Sequence, residues 1–201
     1  MEKNRLEAFS DGVLAIIITI MVLEMKVPHS ADWPALKPVV PVFLSYLLSF
    51  VYVGIYWNNH HHLLKVCRHV NAGIMWANMH LLFWLSLFPF VTGWMGENHF
   101  SSGPSALYGV VLLLAAIAYY ILQARIIAEQ GGRHSKLAAA VGKDWKGKLS
   151  PVLYAIAIAA SFFRPWMAGC IYICVALMWL VPDRRLERLV REGEPATRTA
   201  R

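Results

Sequence analysis

Runs of apolar residues parted by short polar joints set the rhythm of this chain. The first run, Phe9 to Val27 (FSDGVLAIIITIMVLEMKV), carries polar groups only at its two ends and at Thr19. At a rise of 1.5 Å per residue, about 19 helical residues cover the roughly 30 Å of a bilayer core, so the run is long enough to cross a membrane. Asp11 falls in or near the first turn, where a carboxylate faces the positive end of the helix, and Glu24, Lys26 and Pro28 close the segment. Residues three and four apart share a helix face, so Ile16, Ile20 and Leu23 form one apolar stripe with Thr19 beside it.

Five further runs follow. The second, about Val39 to Leu64, starts after a Pro-rich joint and ends in Tyr56-Trp57-Asn58-Asn59-His60-His61-His62; its Ser45 and Ser49, one turn apart, are placed to face a neighbouring helix. The third, about Val70 to Met95, holds Asn71, Asn78, His80 and Trp84. Asn78 and His80 need partners inside a membrane helix and are expected to face protein, while Pro89 removes a backbone donor and is expected to bend the helix near its end. The fourth, about Ala106 to Ala128, is the most uniformly apolar and reads as lipid-exposed scaffold. The fifth and sixth, about Leu149 to Phe163 and Trp166 to Val181, read as a hairpin turned at Arg164-Pro165, the fifth short enough to sit shallow or be matched by local thinning of the bilayer. The pattern therefore predicts an all-α polytopic membrane protein with six transmembrane helices over residues 1–182, followed by a charged cytoplasmic tail over 183–201.

Composition agrees with that class. Apolar residues make up 58% of the chain and charged residues 15%, with a mean hydropathy of +0.48, whereas soluble domains have roughly 45–50% and 25%. The net charge of +7 does not imply nucleic acid as a partner, because the basic residues sit in the joints, where they orient spans and meet anionic lipid. With the N-terminus inside, 16 basic residues fall in cytoplasmic joints and only Lys26, Lys37 and Arg164 fall outside. That asymmetry predicts both termini on the cytoplasmic side of the inner (plasma) membrane, with the longest hydrophilic connection, Glu129 to Lys148, also inside. The first run is not read as a cleaved secretory signal: it exceeds the usual h-region of about 7–15 residues, Asp11 interrupts its start, and no small-x-small site follows it.

Candidate chemistry is sparse. Cys67, Cys170 and Cys174 have neither disulfide-framework nor metal spacing and read as small core residues. His60, His61 and His62 are consecutive, and adjacent helical positions point about 100° apart, so they cannot close on one metal ion; they read as packing or interfacial residues, or as part of a polar network reaching toward Ser10 and Asp11. No phosphate loop, nucleophile elbow or zinc-protease pattern is present, which excludes the common enzyme classes, and no cofactor is implied. A carbonyl filter of the TVGYG type is also absent. Four or more copies around an axis would stack the Ile16, Ile20 and Leu23 positions into apolar rings, the arrangement of a dewetting constriction. From these residues alone, a channel, a secondary transporter and a membrane scaffold all remain open.

The run Arg5-Leu6-Glu7-Ala8-Phe9-Ser10-Asp11-Gly12-Val13-Leu14-Ala15-Ile16, with Thr19 and Leu23-Glu24, resembles the first-helix signature of the transmembrane protein 175 family of endolysosomal potassium channels and their prokaryotic relatives. Tyr56-Trp57 with His60-His61 resembles the end of its second helix, and Asn78 with Leu87, Pro89, Phe90 and Thr92 resembles its third. The resemblance implies a homotetramer in the lipid bilayer whose central pore is lined by helix 1. It implies a gate at Ile16, Ile20 and Leu23, selectivity at Thr19, and a polar network of Arg5, Ser10, Asp11, Asn78 and His60 or His61. The implied permeant ion is K+, with modest preference over Na+, with Cs+ admitted and H+ as a further candidate. His62 and His80 depart from the family pattern.

Overall fold

The computed structural model describes residues 2–132, 135, 138–139 and 145–180. Among the described residues its helices include α1 (Lys3–Leu23), α2 (Val39–Val66), α3 (Ala72–Ser86), α4 (Phe88–Glu97), α5 (Ser102–Glu129), α6 (Trp145–Ser161) and α7 (Pro165–Leu180), with a 3-10 turn at Trp33–Leu36. The charged tail and the basic residues Arg133, Lys136 and Lys143 lie outside the described residues. Among the described residues, four helical segments are long and apolar enough to cross a membrane: Lys3–Leu23, Val39–Val66, Ala72–Glu97 and Ser102–Glu129. The α7 helix is apolar but shorter, and α6 has 17 residues.

Local chemistry explains the breaks. Asn71 caps α3, its side-chain oxygen accepting the Ile74 N–H at 2.9 Å, which satisfies one of the donors that a helix start leaves unpaired. The third span is interrupted at Leu87, where α3 ends and α4 begins, because Pro89 has no N–H to give and its ring collides with the carbonyl one turn back. Between α4 and α5, His99 and Phe100 take left-handed backbone angles (φ 51° and 58°). The turn is locked by Phe100 N–H donating to Met95 O at 2.9 Å and by Ser105 Oγ donating to Phe100 O at 3.0 Å. The α6–α7 pair forms the expected hairpin, beginning four residues earlier than its apolar run.

Packing overturns the expectation for the fourth span. Helix α5 is the centre of the subunit: it packs on α3, α4, α6 and α7, and Tyr108, Leu112, Ala115, Ala118, Leu122 and Ile126 are all fully buried. A helix that is apolar all round fits either lipid or a core equally well, and hydropathy cannot separate the two. Small residues decide it here. A Cβ on Gly109 would collide with the Tyr172 hydroxyl and stand 2.8 Å from Ile158, and Ala157 of α6 and Ala168 and Ala176 of α7 bring the hairpin equally close. Tyr52, Tyr108 and Tyr172 fill the space between, Tyr108 and Tyr172 meeting edge to face at 5.5 Å.

Other residues also depart from the sequence expectation. Cys67 is buried, but Cys170 and Cys174 are exposed on α7 and are not core residues. His80 does not face the core: it is exposed on α3 and accepts the Trp84 Nε1–H at 2.9 Å, one turn on. That local bond partners its ring without a second helix.

Candidate functional site

Helix α1 packs on α2, α3 and α4 and divides sharply into two faces. Leu6, Ser10, Leu14, Ile17 and Met21 are buried against these neighbours. On the other side of the helix Ile16 is 59% exposed, Ile20 42% and Leu23 76%, and Thr19 is exposed beside them. The Thr19 hydroxyl donates to Ala15 O at 2.9 Å, which satisfies its proton within the helix and leaves its lone pairs facing outward. The stripe therefore does not pack within its own subunit.

Two buried polar connections fix the rotation of α1. Near its start, Ser10 Oγ donates to Leu6 O at 2.8 Å and accepts from Asn78 Nδ2 at 2.9 Å, while Asn78 Oδ1 meets His60 Nε2 at 2.6 Å. An amide oxygen only accepts, so Nε2 carries the proton; His60 Nδ1 is buried with no hydrogen-bond partner among the described residues. Three turns later, Tyr108, Ser49 and Thr92 hydroxyls run in a chain of 3.0 and 2.7 Å contacts that ends with Thr92 donating to Met21 Sδ at 3.8 Å. Ser10 and Met21 lie on the same helix face, so α1 is held at both levels with its apolar stripe turned outward.

The network implied by the resemblance is thus divided into three. Ser10, Asn78 and His60 form the buried core of it. Asp11 lies apart and accepts the Trp57 Nε1–H at 3.0 Å, and His61 stacks on Trp57 and contacts Glu7, with Nδ1 to Oε1 at 3.1 Å. Arg5 is exposed and not part of this network. The Trp57–Asp11 and His61–Glu7 pairs were not foreseen, although Trp57 and His61 are one turn apart and Glu7 and Asp11 likewise, which is the spacing that lets two helices pair twice.

At the far end of α1, Lys26 forms an ion pair with Glu97 at 2.8 Å. Glu24 lies against Gly93, where a Cβ would come within 2.6 Å of its Oε2. Burial first, and the nearby Glu97 charge second, hold the Glu24 carboxyl above its usual range, while the bond to Glu97 raises Lys26. No group of three or more metal-ligating side chains occurs among the described residues.

An all-α chain with four segments able to cross a membrane and a first helix that keeps one apolar face unburied is a polytopic membrane protein. The family model described as the endosomal/lysosomal potassium channel TMEM175 matches residues 5–89. A potassium channel of Chryseobacterium sp. (strain P1-3) is 54% identical over 193 residues, spanning 96% of this chain and 100% of the relative. The crystal structure of a lysosomal potassium-selective channel TMEM175 homolog from Chamaesiphon minutus shares the fold with a TM-score of 0.74 at 26% identity, covering 90% of this chain and 98% of that one. The human endosomal/lysosomal proton channel TMEM175 is 40% identical over 80 residues, which is 34% of this chain and 16% of the human protein. The chain belongs to the TMEM175 family of ion channels. It is a transport protein and not an enzyme.

Proposed function

We propose that this protein is a potassium-permeable cation channel in which four copies of α1 line a central pore, with Ile16, Ile20 and Leu23 as the gate and Thr19 as the selectivity position. The observation that carries the reading is the outward apolar face of α1, exposed on a helix whose opposite face is anchored at Ser10 and Met21. Fourfold closure gives that face a common axis. An apolar ring too narrow to stay wet blocks ions because a cation must shed water without gaining ligands. The bacterial relatives are potassium channels, which supports K+ as the permeant ion, and the human relative is a proton channel, which supports H+ as a second. Without a carbonyl cage, pore width and the Thr19 hydroxyl set the selectivity, so K+ passes over Na+ by a modest factor and Cs+ is admitted.

The same reading takes six spans, with α6 and α7 crossing a locally thinned bilayer, both termini cytoplasmic in the inner membrane, and the tail 183–201 as a cytoplasmic extension. Arg5, Asp11 and His61 act at the inner mouth, where their substitution impairs assembly or opening. The test is K+-driven flux into proteoliposomes for wild type, Leu23→Asn and Leu177→Asn, the last on a lipid-facing position of α7 that is 58% exposed. Leu113 is unsuitable as that control because it packs against the core. Leu23→Asn is expected to raise flux and Leu177→Asn to leave it unchanged; silent wild type, or two variants that behave alike, defeats the pore assignment. Native mass spectrometry should give a tetramer of about 91 kDa from subunits of 22.7 kDa. In a cysteine-free background, a cysteine at position 136 should label only from the cytoplasmic side.

A further inference from the structure

A cavity of about 380 Å³ lies between α2, α5, α6 and the end of α7. Its size falls in the range of roughly 300–1,000 Å³ typical of small-ligand sites. Tyrosine rings and short apolar side chains make its wall, among them Tyr52, Ile55, Ala116, Ile117, Tyr120 and Tyr154. Ile117 and Tyr120 also stand on the outward side of α5, in the middle of a membrane span, so the cavity is reached from the hydrocarbon of the bilayer.

Most polar groups along this wall are already engaged. Tyr52 Oη donates to Tyr172 O at 2.6 Å and is itself paired with Tyr154. Tyr119 Oη donates to Asn59 O at 3.2 Å, Asn59 Nδ2 donates to Ile55 O at 2.9 Å, and Ser150 Oγ donates to Lys146 O at 2.8 Å. Lys148, at the rim, has interactions of its own. Two buried groups differ. Tyr56 is only 9% exposed and Gln123 only 6%, which keeps both from bulk water, yet neither the Tyr56 hydroxyl nor the Gln123 amide has a hydrogen-bond partner among the described residues. Both line the cavity, and neither polar tip is sealed within the packing.

A buried hydroxyl and a buried amide without partners cost stability as long as nothing answers them. Two waters of roughly 30 Å³ each would answer them and still leave most of an apolar space unfilled. We infer that the cavity is a binding site for a neutral, membrane-soluble molecule that carries one hydroxyl on an apolar ring, the chemistry of an alkylphenol. Its oxygen accepts from the Tyr56 hydroxyl, its proton goes to Gln123 Oε1, and its ring lies among Tyr52, Tyr120 and Tyr154. The walls select against a charged ligand, since no carboxylate lines the cavity among the described residues and Lys148 is engaged.

The test is equilibrium dialysis of thymol against the full chain in lipid nanodiscs, with empty nanodiscs to subtract partitioning into lipid. Para-cymene, the same molecule without its hydroxyl, is the comparison. Wild type is expected to hold thymol about tenfold more tightly than para-cymene. Tyr56→Phe and Gln123→Leu should each reduce that preference about fivefold, the worth of one hydrogen bond. Without ligand, both variants should melt no lower than wild type, because each removes a polar group that has no partner in the subunit; a purely structural role predicts the opposite. Ala116→Phe, checked for an unchanged oligomer peak, should fill the cavity and lose thymol, and Ile173→Phe, on the exposed face of α7, should behave as wild type. Thymol uptake no greater than that of empty nanodiscs, equal retention of thymol and para-cymene, or an unchanged preference in either Tyr56→Phe or Gln123→Leu overturns the assignment. Binding is read without conduction, so this site stands or falls separately from the pore.

Discussion

Helices α1 and α5 are equally hydropathic, yet 28% of the most apolar stretch is buried in α1 and 50% in α5. The difference lies in how each is held. Helix α5 is gripped all round by interdigitated small and aromatic residues, with Gly109 against Tyr172 and Ala115 and Ala118 against their neighbours. Helix α1 is held along one side only, by leucine and isoleucine packing and by two polar connections, and keeps its other side unburied. In a membrane the hydrophobic effect does not choose between these arrangements, since lipid is as apolar as leucine; packing and hydrogen bonding choose. Apolar exposure on α1 thus leaves a face free for lipid or, in the proposed channel, for other copies, whereas apolar burial on α5 is a feature of the fold.

The contrast can be broken first at α5. Gly109→Leu drives a side chain into Ile158 and into Tyr172, which is fully buried and held by its hydroxyl's bond to Ser105 O, so the ring has little room to yield; a loss of about 3 kcal/mol is expected, read as loss of the monodisperse peak on size exclusion. The same chemical change placed on both helices sharpens the comparison. Leu112→Asn buries an amide without partners and should cost about 1–3 kcal/mol, lowering the melting temperature, whereas Leu23→Asn should leave the melting temperature unchanged and raise flux.

A third change tests the anchor that keeps α1 half-free. Asn78→Leu removes the donor to Ser10 and the acceptor for His60 together, leaving two buried groups unsatisfied, and about 1–3 kcal/mol of stability should be lost with conduction impaired alongside. If the protein is unaffected, the rotation of α1 is set by packing alone.

The smallest effect is expected at the C-terminal end of α1. Glu24, held above the usual carboxylate range by burial and by Glu97, becomes neutral at a higher pH than a free glutamate. Its protonated form suits the folded state better, so its contribution to stability is greatest below the ordinary carboxylate pKa and falls as pH rises through the raised value. For conduction through the proposed pore the sign is the reverse: acidifying the side that meets this end of α1 removes a negative charge beside it, so K+ flux should decline modestly as pH drops toward that range, and Glu24→Gln should flatten the decline. An identical pH profile in Glu24→Gln would assign the response elsewhere.

The sequence by itself determined the class, the order of the apolar helices with the breaks at Pro89 and Asn71, and the existence of a polar anchor. Each of these is written in one dimension: apolar run length against bilayer thickness, Pro89 and Asn71 at breaks and caps, and amide and hydroxyl groups that cannot stay unpaired in hydrocarbon. Ser10 and Asn78 were legible for that reason, and so was the Ile16, Ile20 and Leu23 stripe, which follows from helical periodicity. Only tertiary structure decided which of three adjacent histidines turns inward, because a shift of one residue rotates a side chain by about 100° and nothing local sets the rotation of α2. It also decided that Asp11 answers Trp57, that His80 stays outside beside Trp84, and that the most uniformly apolar helix is the centre of the subunit. Periodicity marks a face, but a helix apolar on every side has no face to mark, and there only the fit of Gly109, Ala115 and Ala118 to their neighbours could place it.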